Sequence, residues 1–355
     1  MLDPAGLGIM LFQLALSHMM QFARMVEHHR ARRCRPFVQN QNEIAQFSLQ
    51  IHWRDMCTTI LHMQVMALPP EPWPTGIAEQ CEPLVRRVLA PNPSPYTYTG
   101  TQTYIVGNAG DVAVIDPGPA ESEHIDAIVA AIGDAKVTAI MCTHTHRDHS
   151  PAAAPLAERT GAPIVGCAPL VIDSDLPRSD EAFDTTYAPD RVLEDGEAMT
   201  GEGWTLRAVH TPGHTSNHLC FALEESGALF TGDHVMGWST SVVIPPDGDM
   251  GDYMASLERL QAREDRVYYS AHGEPIEKPR QLVRGMMGHR RQRENQILRL
   301  LGEQARTIPD FIPVMYKGLD ERLHKAAQMS VMAHLLDLEK RGLVACGDGD
   351  VWRAA

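Results

Sequence analysis

The chain has no Gly-rich loop placed to cradle phosphate ahead of a helix, and no Gly-x-Ser-x-Gly elbow. A bound nucleotide and a serine nucleophile on a sharp turn are therefore not the chemistry to look for. Cysteine is sparse: seven in 355 residues, an odd number, with no Cys-x-x-Cys pair. That disfavours a disulfide framework and a thiolate metal site, and reduced thiols in a cytoplasmic setting are the simple reading. The apolar run from Leu7 to Leu16 is too short to span a bilayer, which takes roughly 20 residues. Nothing basic precedes it and Asp3 is acidic, so it makes a poor signal peptide. No internal repeat is evident.

Residues 1–66 lack lysine and carry many Met, His, Gln and Arg with little alternation. They read as an N-terminal extension outside the fold, with Met63 or Met66 as alternative starts. The other reading is a membrane-surface or targeting arm, for which Arg24 and the basic patch from Arg30 to Arg35 speak. The remainder divides into a catalytic domain, 67–278, and a C-terminal domain, 279–355. Charge follows the same division. Residues 96–277 hold nine Lys and Arg against 29 Asp and Glu, a balance of −20, whereas 278–355 balance at +5. Such a distribution argues against a broad nucleic-acid surface on the catalytic domain and permits a basic tail that holds an anionic polymer.

The densest chemical signal is Thr143-His144-Thr145-His146-Arg147-Asp148-His149, four potential ligands in six positions. Neutral imidazole and carboxylate suit a borderline ion such as zinc. The run follows Val137–Cys142, an apolar stretch that reads as a buried strand. On extended chain His144, His146 and Asp148 share a face, and His149 requires a turn. Ser150 and Pro151 are then expected as cap and first residue of a helix. A strand-to-helix turn that splays four ligands suits two adjacent metals. Further candidates sit at the carboxyl ends of later apolar runs: His210 after Thr205–Val209, Asp233 after Ala228–Gly232, and His272 after Arg266–Ala271. In open sheets that end is where sites assemble.

Elsewhere the pattern predicts a strand over Leu84–Leu89, a hairpin of Thr101–Val106 and Val112–Ile115, and a helix over Glu123–Ile132. Gly166–Pro189 is a long acidic insertion, read as a lid or a solvated loop. Strands resume near 192, 205–209, 219–223, 228–231 and 266–269. In the tail, Gln281–Leu301 and Asp320–Arg341 are expected helices, Ile308–Tyr316 a short one, and Leu343–Trp352 a hairpin around Gly347-Asp348-Gly349.

The motifs Thr-His-Thr-His-Arg-Asp-His, Thr-Pro-Gly-His-Thr, Thr-Gly-Asp and Ala-His-Gly, spread over about 96–277, resemble the metallo-beta-lactamase superfamily. The resemblance implies an α/β fold, a four-layer αββα sandwich with the site at one sheet edge. It implies His144, His146 and His210 on one metal, Asp148, His149 and His272 on the second, and Asp233 bridging both. Asp116 resembles the acid that orients a ligand; a plain turn Asp before Pro-Gly is the other reading. Cys220 is at no ligand position, unlike the cysteine-ligated true lactamases. Segments of the tail, Gly288-His289-Arg290 and His334-Leu335 among them, are similar to the branch called beta-lactamase-like protein two, whose members carry a small C-terminal winged-helix-like domain and some of which cleave single-stranded RNA.

The expected cofactors are two Zn2+, with Fe or Mn accepted by the same ligands. A bridging water between them would reach a pKa of about 7, and Asp148 would orient it. His214, His218 and His234 are expected behind the ligands or in packing, and Trp238, Ser239 and Thr240 along the cleft. The first substrate reading is single-stranded RNA, held by the basic tail. The alternative is a small thioester, ester or lactone, as in hydroxyacylglutathione hydrolases, with true beta-lactamase activity ranked below both. Under that alternative the tail serves assembly, for example as a homodimer.

Overall fold

The computed structural model describes residues 73–171, 182–319 and 321–355. The N-terminal extension read at 1–66 lies outside the described residues, as do 172–181 of the acidic insertion.

Two sheets face each other. The first contains seven strands in sequence order: β1 (Ala78–Glu82), β2 (Val85–Leu89), β3 (Gln102–Gly107), β4 (Asp111–Ile115), β5 (Lys136–Cys142), β6 (Ile164–Gly166) and β7 (Arg191–Val192). The second orders β12 (Val267–Ser270), β11 (Ala228–Gly232), β10 (Leu219–Leu223), β9 (Trp204–His210) and β8 (Ala198–Gly201). Alternation decides what each face meets. Leu219, Phe221 and Leu223 of β10 join the core between the sheets, where Tyr104, Ile115, Trp204 and Phe230 also pack. Cys220 and Ala222, pointing the other way, pack beneath helices.

Helices α1 (Ser122–Ile132) and α2 (Ala153–Thr160) bury Ile125, Ile128 and Leu156 against the first sheet. On the far side α3 (Met250–Ala262) and α4 (Pro279–Glu303) cover the second sheet, with Tyr253, Leu257, Val283 and Met286 beneath them. The result is the expected helix–sheet–sheet–helix order. Asp249 caps α3 by accepting from the Asp252 amide at 3.0 Å. Gly213, with φ +132°, lies so close to α3 that a Cβ there would meet the Tyr253 backbone at 2.3 Å.

The chain ends in a small body made of α5 (Ile308–Met315), a 3-10 turn at Glu321–Leu323, α6 (His324–Lys340) and the hairpin β13 (Val344–Gly347)–β14 (Val351–Ala354). Its own core gathers Phe311, Val331, Leu335, Leu338 and Trp352. The second half of α4, through Ile297, Leu300 and Leu301, belongs to that core, while its first half belongs to the catalytic one. The long helix expected from Asp320 thus starts as a 3-10 turn, and Asp320 itself is outside the described residues.

The expected Ser150 cap is a correction. α2 begins three residues later, at Ala153, without a side-chain cap. The Ser150 hydroxyl instead donates to Asp184 at 2.8 Å, and the Ala152 amide goes to the Gly118 carbonyl at 3.0 Å. A turn therefore separates the ligand run from the helix.

Candidate metal centre

The ligand run leaves β5 at Cys142, and its first residue is fixed by Asp116. That carboxylate stands just past β4, at φ +48°, a conformation an Asp tolerates better than most residues. Asp116 Oδ1 accepts from the Thr143 amide at 2.7 Å, and Oδ2 accepts from the Thr143 hydroxyl at 2.8 Å. Oδ2 also lies 3.1 Å from His149 Nδ1. Because an ionised carboxylate only accepts, His149 carries its proton on Nδ1, and Nε2 is left to face Asp148 at 3.4 Å and Asp233 at 3.6 Å. Asp116 thus orients a histidine of the run.

The same device recurs. His214 Nδ1 donates to the Val242 carbonyl at 2.6 Å, turning Nε2 toward His146 Nδ1 at 3.1 Å and Asp233 Oδ2 at 3.8 Å. His272 Nδ1 donates to the Gly100 carbonyl at 3.2 Å, turning Nε2 toward Asp148 Oδ2 and Asp233 Oδ1, both at 3.2 Å. A backbone or carboxylate partner on one nitrogen fixes the tautomer of a metal-binding imidazole.

Two groups result, and in each the ligand atoms all lie within 4.8 Å of one another: His144, His146, His214 and Asp233, and Asp148, His149, Asp233 and His272. Asp233 belongs to both, one oxygen toward each. The atoms fit a divalent metal. Donors about 2.0–2.1 Å from a tetrahedral zinc stand roughly 3.3 Å apart, and neighbouring ligand atoms here lie from 2.9 Å (His144 Nε2 to His146 Nδ1) to 3.8 Å apart, with no pair in a group beyond 4.8 Å. His149 Nε2, His272 Nε2 and Asp233 Oδ1 are buried without a hydrogen-bond partner. Buried polar atoms left this way want a partner. The residues could hold two cations.

Electrostatics separates the groups. Burial, then the neighbouring histidines, push His144 well below the ordinary imidazole range; burial and His214 take His146 to about 3. Burial also acts to lower His149 and His272, but the carboxylates outweigh it, holding His149 well above the usual range and His272 at about 10. Burial would raise Asp148 and Asp233; the histidines beside them hold both well below the carboxylate range.

His210 is a correction. It ends β9 exposed, its amide donating to Asp195 at 2.9 Å, and it joins neither group. The loop through Gly213 turns the chain inward and delivers His214, expected behind the ligands, to the position expected for His210. A strand-end rule chooses the first histidine; the signal that would have chosen the second is Pro212-Gly213 directly before it. Gly232, at φ +48°, matters in the same way: a Cβ there would meet Thr143 Oγ1 at 2.6 Å and His218 Nε2 at 2.7 Å. His218 and His234 are buried behind the ligands, His218 Nδ1 lying 2.9 Å from the Thr211 hydroxyl and the His234 ring 4.7 Å from Tyr253. Cys220 is buried beside Thr211, in neither ligand group, its thiol pushed up to about 12 by burial.

Apolar side chains lie near the ligand run, beside the exposed Arg147, whose Nε donates to the Phe183 carbonyl at 3.1 Å. Phe183, reached through the end of the acidic insertion, packs its ring 4.9 Å from His146. The residues around it pair with the ligand run, Asp184 N donating to Thr145 O at 2.8 Å. Val242 and Ile244, on the loop that holds His214, are 36% and 39% exposed. Trp238 stacks on Tyr98 with centroids 4.9 Å apart.

Residues 96–272 match the metallo-beta-lactamase superfamily, and residues 307–352 match the beta-lactamase associated winged helix domain. An atrochrysone carboxyl ACP thioesterase of Paecilomyces divaricatus is 35% identical over 78% of this chain and 84% of its own. A beta-lactamase-like protein 2 homolog of Drosophila melanogaster is 33% identical over 73% of this chain and 88% of its own. Among solved structures, a beta-lactamase domain protein from Burkholderia ambifaria shares the fold, with a TM-score of 0.67 at 21% identity over 79% of this chain and 94% of that one. The chain is a hydrolase fold of the sandwich class with a histidine- and aspartate-lined centre. It belongs to the metallo-beta-lactamase superfamily and carries that superfamily's associated winged helix. Among the described residues, no helix is long and apolar enough to cross a membrane.

Proposed function

We propose that this hydrolase cleaves an acyl thioester at a two-metal centre held by His144, His146, His214, Asp148, His149, His272 and the shared Asp233, zinc being the first metal to try. The observation that carries the substrate class is the set of apolar side chains near the ligands: Phe183 against His146, and the exposed Val242 and Ile244 on the loop that holds His214. An apolar acyl group suits that lining, and two of the relatives bearing the thioesterase name support the reading.

Two divalent ions there would polarise the bond to be cut and lower the pKa of water to about neutrality. The chain's own contribution is placement. Asp148 is the most open of the acidic ligands, its side chain 26% exposed against 11% for Asp233. It is positioned to orient the attacking water and hold its proton. Burial of the other ligands keeps bulk water away from the centre. Phe183 and the Val242–Ile244 loop hold the acyl group beside the histidines.

Single-stranded RNA is the second reading, supported by the basic tail and the winged helix. Much of that basic charge is engaged within the molecule. Arg291 pairs with Glu258 at 2.9 Å and Arg341 with Glu294 at 2.7 Å, while Arg293 lies over the Tyr316 ring at 4.7 Å. The test is turnover of an acyl-thioester panel and of single-stranded RNA, with chelator and after zinc is restored. Chelator-sensitive thioester cleavage that favours long or aromatic acyl groups supports the proposal. Metal-dependent RNA cleavage without thioester turnover would replace it with the second reading.

A further inference from the structure

Arg290 is a buried cation far along the chain from the ligand run, 5% exposed on the inner side of α4. Among the described residues no carboxylate pairs with it. Its Nη2 donates to the Ser241 carbonyl, and its guanidinium lies over the Tyr253 ring at 5.1 Å. Burying an unpaired charge is costly, so the position calls for a reason beyond packing.

The reason lies in what Ser241 holds. The Ser241 hydroxyl is 2.7 Å from both the Asp233 and the His234 carbonyl oxygens, its one O–H shared between them. The next residue, Val242, supplies the carbonyl that accepts from His214 Nδ1 at 2.6 Å. The Tyr253 hydroxyl donates to the His234 carbonyl at 3.2 Å, so the ring under Arg290 braces the same turn. One loop therefore sets the backbone of Asp233, the carboxylate common to both ligand groups, and the ring of His214. That loop is tied to α4 by Arg290.

We propose that Arg290 is a positioning residue for the metal centre, through which the helix leading into the winged-helix body sets the placement of Asp233 and His214. This rests on the two-metal reading. It gives that body a role in building the centre, separate from any contact with substrate. A guanidinium suits the task because it is always charged and offers several donors in a fixed plane, so it can serve the carbonyl and lie over the ring at once.

The experiment uses the full chain and compares wild type with Arg290→Met, Arg290→Lys and Ser241→Ala. The readouts are zinc affinity by chelator competition, the visible spectrum of the cobalt-substituted protein, and the urea midpoint. Partners behind ligands typically contribute about 10–100-fold in metal affinity. Arg290→Met is expected to lose affinity in that range and to shift the cobalt band. Arg290→Lys should recover part of the loss, and Ser241→Ala should reproduce a smaller one. A lowered urea midpoint with wild-type zinc affinity and cobalt spectrum in Arg290→Met would make Arg290 a packing residue and overturn the inference. Should Arg290→Met not fold, unchanged affinity and spectrum in Ser241→Ala overturn it instead. A wild type that takes up no divalent metal would overturn the two-metal reading itself, an outcome distinct from both.

Discussion

Among the described residues, histidines with buried ring nitrogens lie both at the sheet edge and between two C-terminal helices, and only the first set joins a group that could hold a metal ion. At the sheet edge, His149, His214 and His272 each have one ring nitrogen anchored, on Asp116, the Val242 carbonyl and the Gly100 carbonyl, while the other faces Asp148 or Asp233. In the seam between α4 and α6, His289 and His334 have both ring nitrogens buried without a partner, and the charges nearest them are Arg290, Arg293 and Arg341. Burial alone does not make a ligand. Three rings at the sheet edge add an anchor on one nitrogen and a carboxylate opposite the other, and the neighbouring charge sets the sign there: carboxylates raise His272 to about 10, whereas burial and then arginines lower His334 to about 3.

The strongest way to break this contrast is to remove the carboxylate side of it. Asp148→Asn should lower kcat by about 10²–10⁴-fold, the range for a positioned acid–base group, with the urea midpoint little changed. His334→Leu should leave kcat within a factor of about two; a comparable loss in both would end the distinction. Next comes the pair on one loop. His214→Ala should weaken metal retention by at least about 10–100-fold, what even an outer partner contributes. His210→Ala should sit within about twofold of wild type, as exposed positions usually do. Metal counts by mass spectrometry after dialysis would decide, and the reverse order would restore His210 as the ligand. Asp116→Asn comes third, since it keeps the shape but weakens the acceptor for His149 Nδ1; a loss of about tenfold in zinc affinity is expected at unchanged fold.

The smallest effect is in the seam. The folded pKa values of His289, about 4, and His334, about 3, lie below the ordinary 6.5, because burial and then the arginines disfavour the charged ring. The unfolded chain therefore binds more protons below pH 6.5, so stability from these groups is present above 6.5 and is lost as pH falls toward 4. His334→Leu should flatten that part of the urea-midpoint profile, measured without metal in every sample. An unchanged slope would show that His334 is protonated without cost.

Much of the centre was legible from residues alone. The run from His144 to His149 offered four candidate ligands because a strand and a following turn fix their directions locally, Asp233 and His272 stood at strand ends, and the structure gathers all six into the two groups. His210 misled because its strand ends one turn before the chain reaches the centre; the inward step depends on Gly213 packing against α3, a contact 40 residues away in sequence. The edge strand β1, Ala-Glu-Gln-Cys-Glu, escaped notice for another reason: its residues are exposed or half-buried and it is defined by pairing with β2, not by apolar alternation. The three-residue β6 and the weakly patterned β8 are likewise strands by partnership. α3 was missed because Gly251 and the polar Asp252 follow Met250 in its first turn.

Charge counting read the tail as a separate basic body from 279 onward, and side-chain contacts alter that picture. Helix α4, 25 residues and therefore about 37 Å long, is a strut embedded at both ends. A protein cut before Pro279 would lose Val283, Met286 and Met287 from beneath the second sheet. A cut or graft placed in the stretch between Glu303 and Ile308 spares them. A C-terminal module exchanged between relatives at that point would still have to match Ile297, Leu300 and Leu301 on the helix, and the two bodies should melt as one.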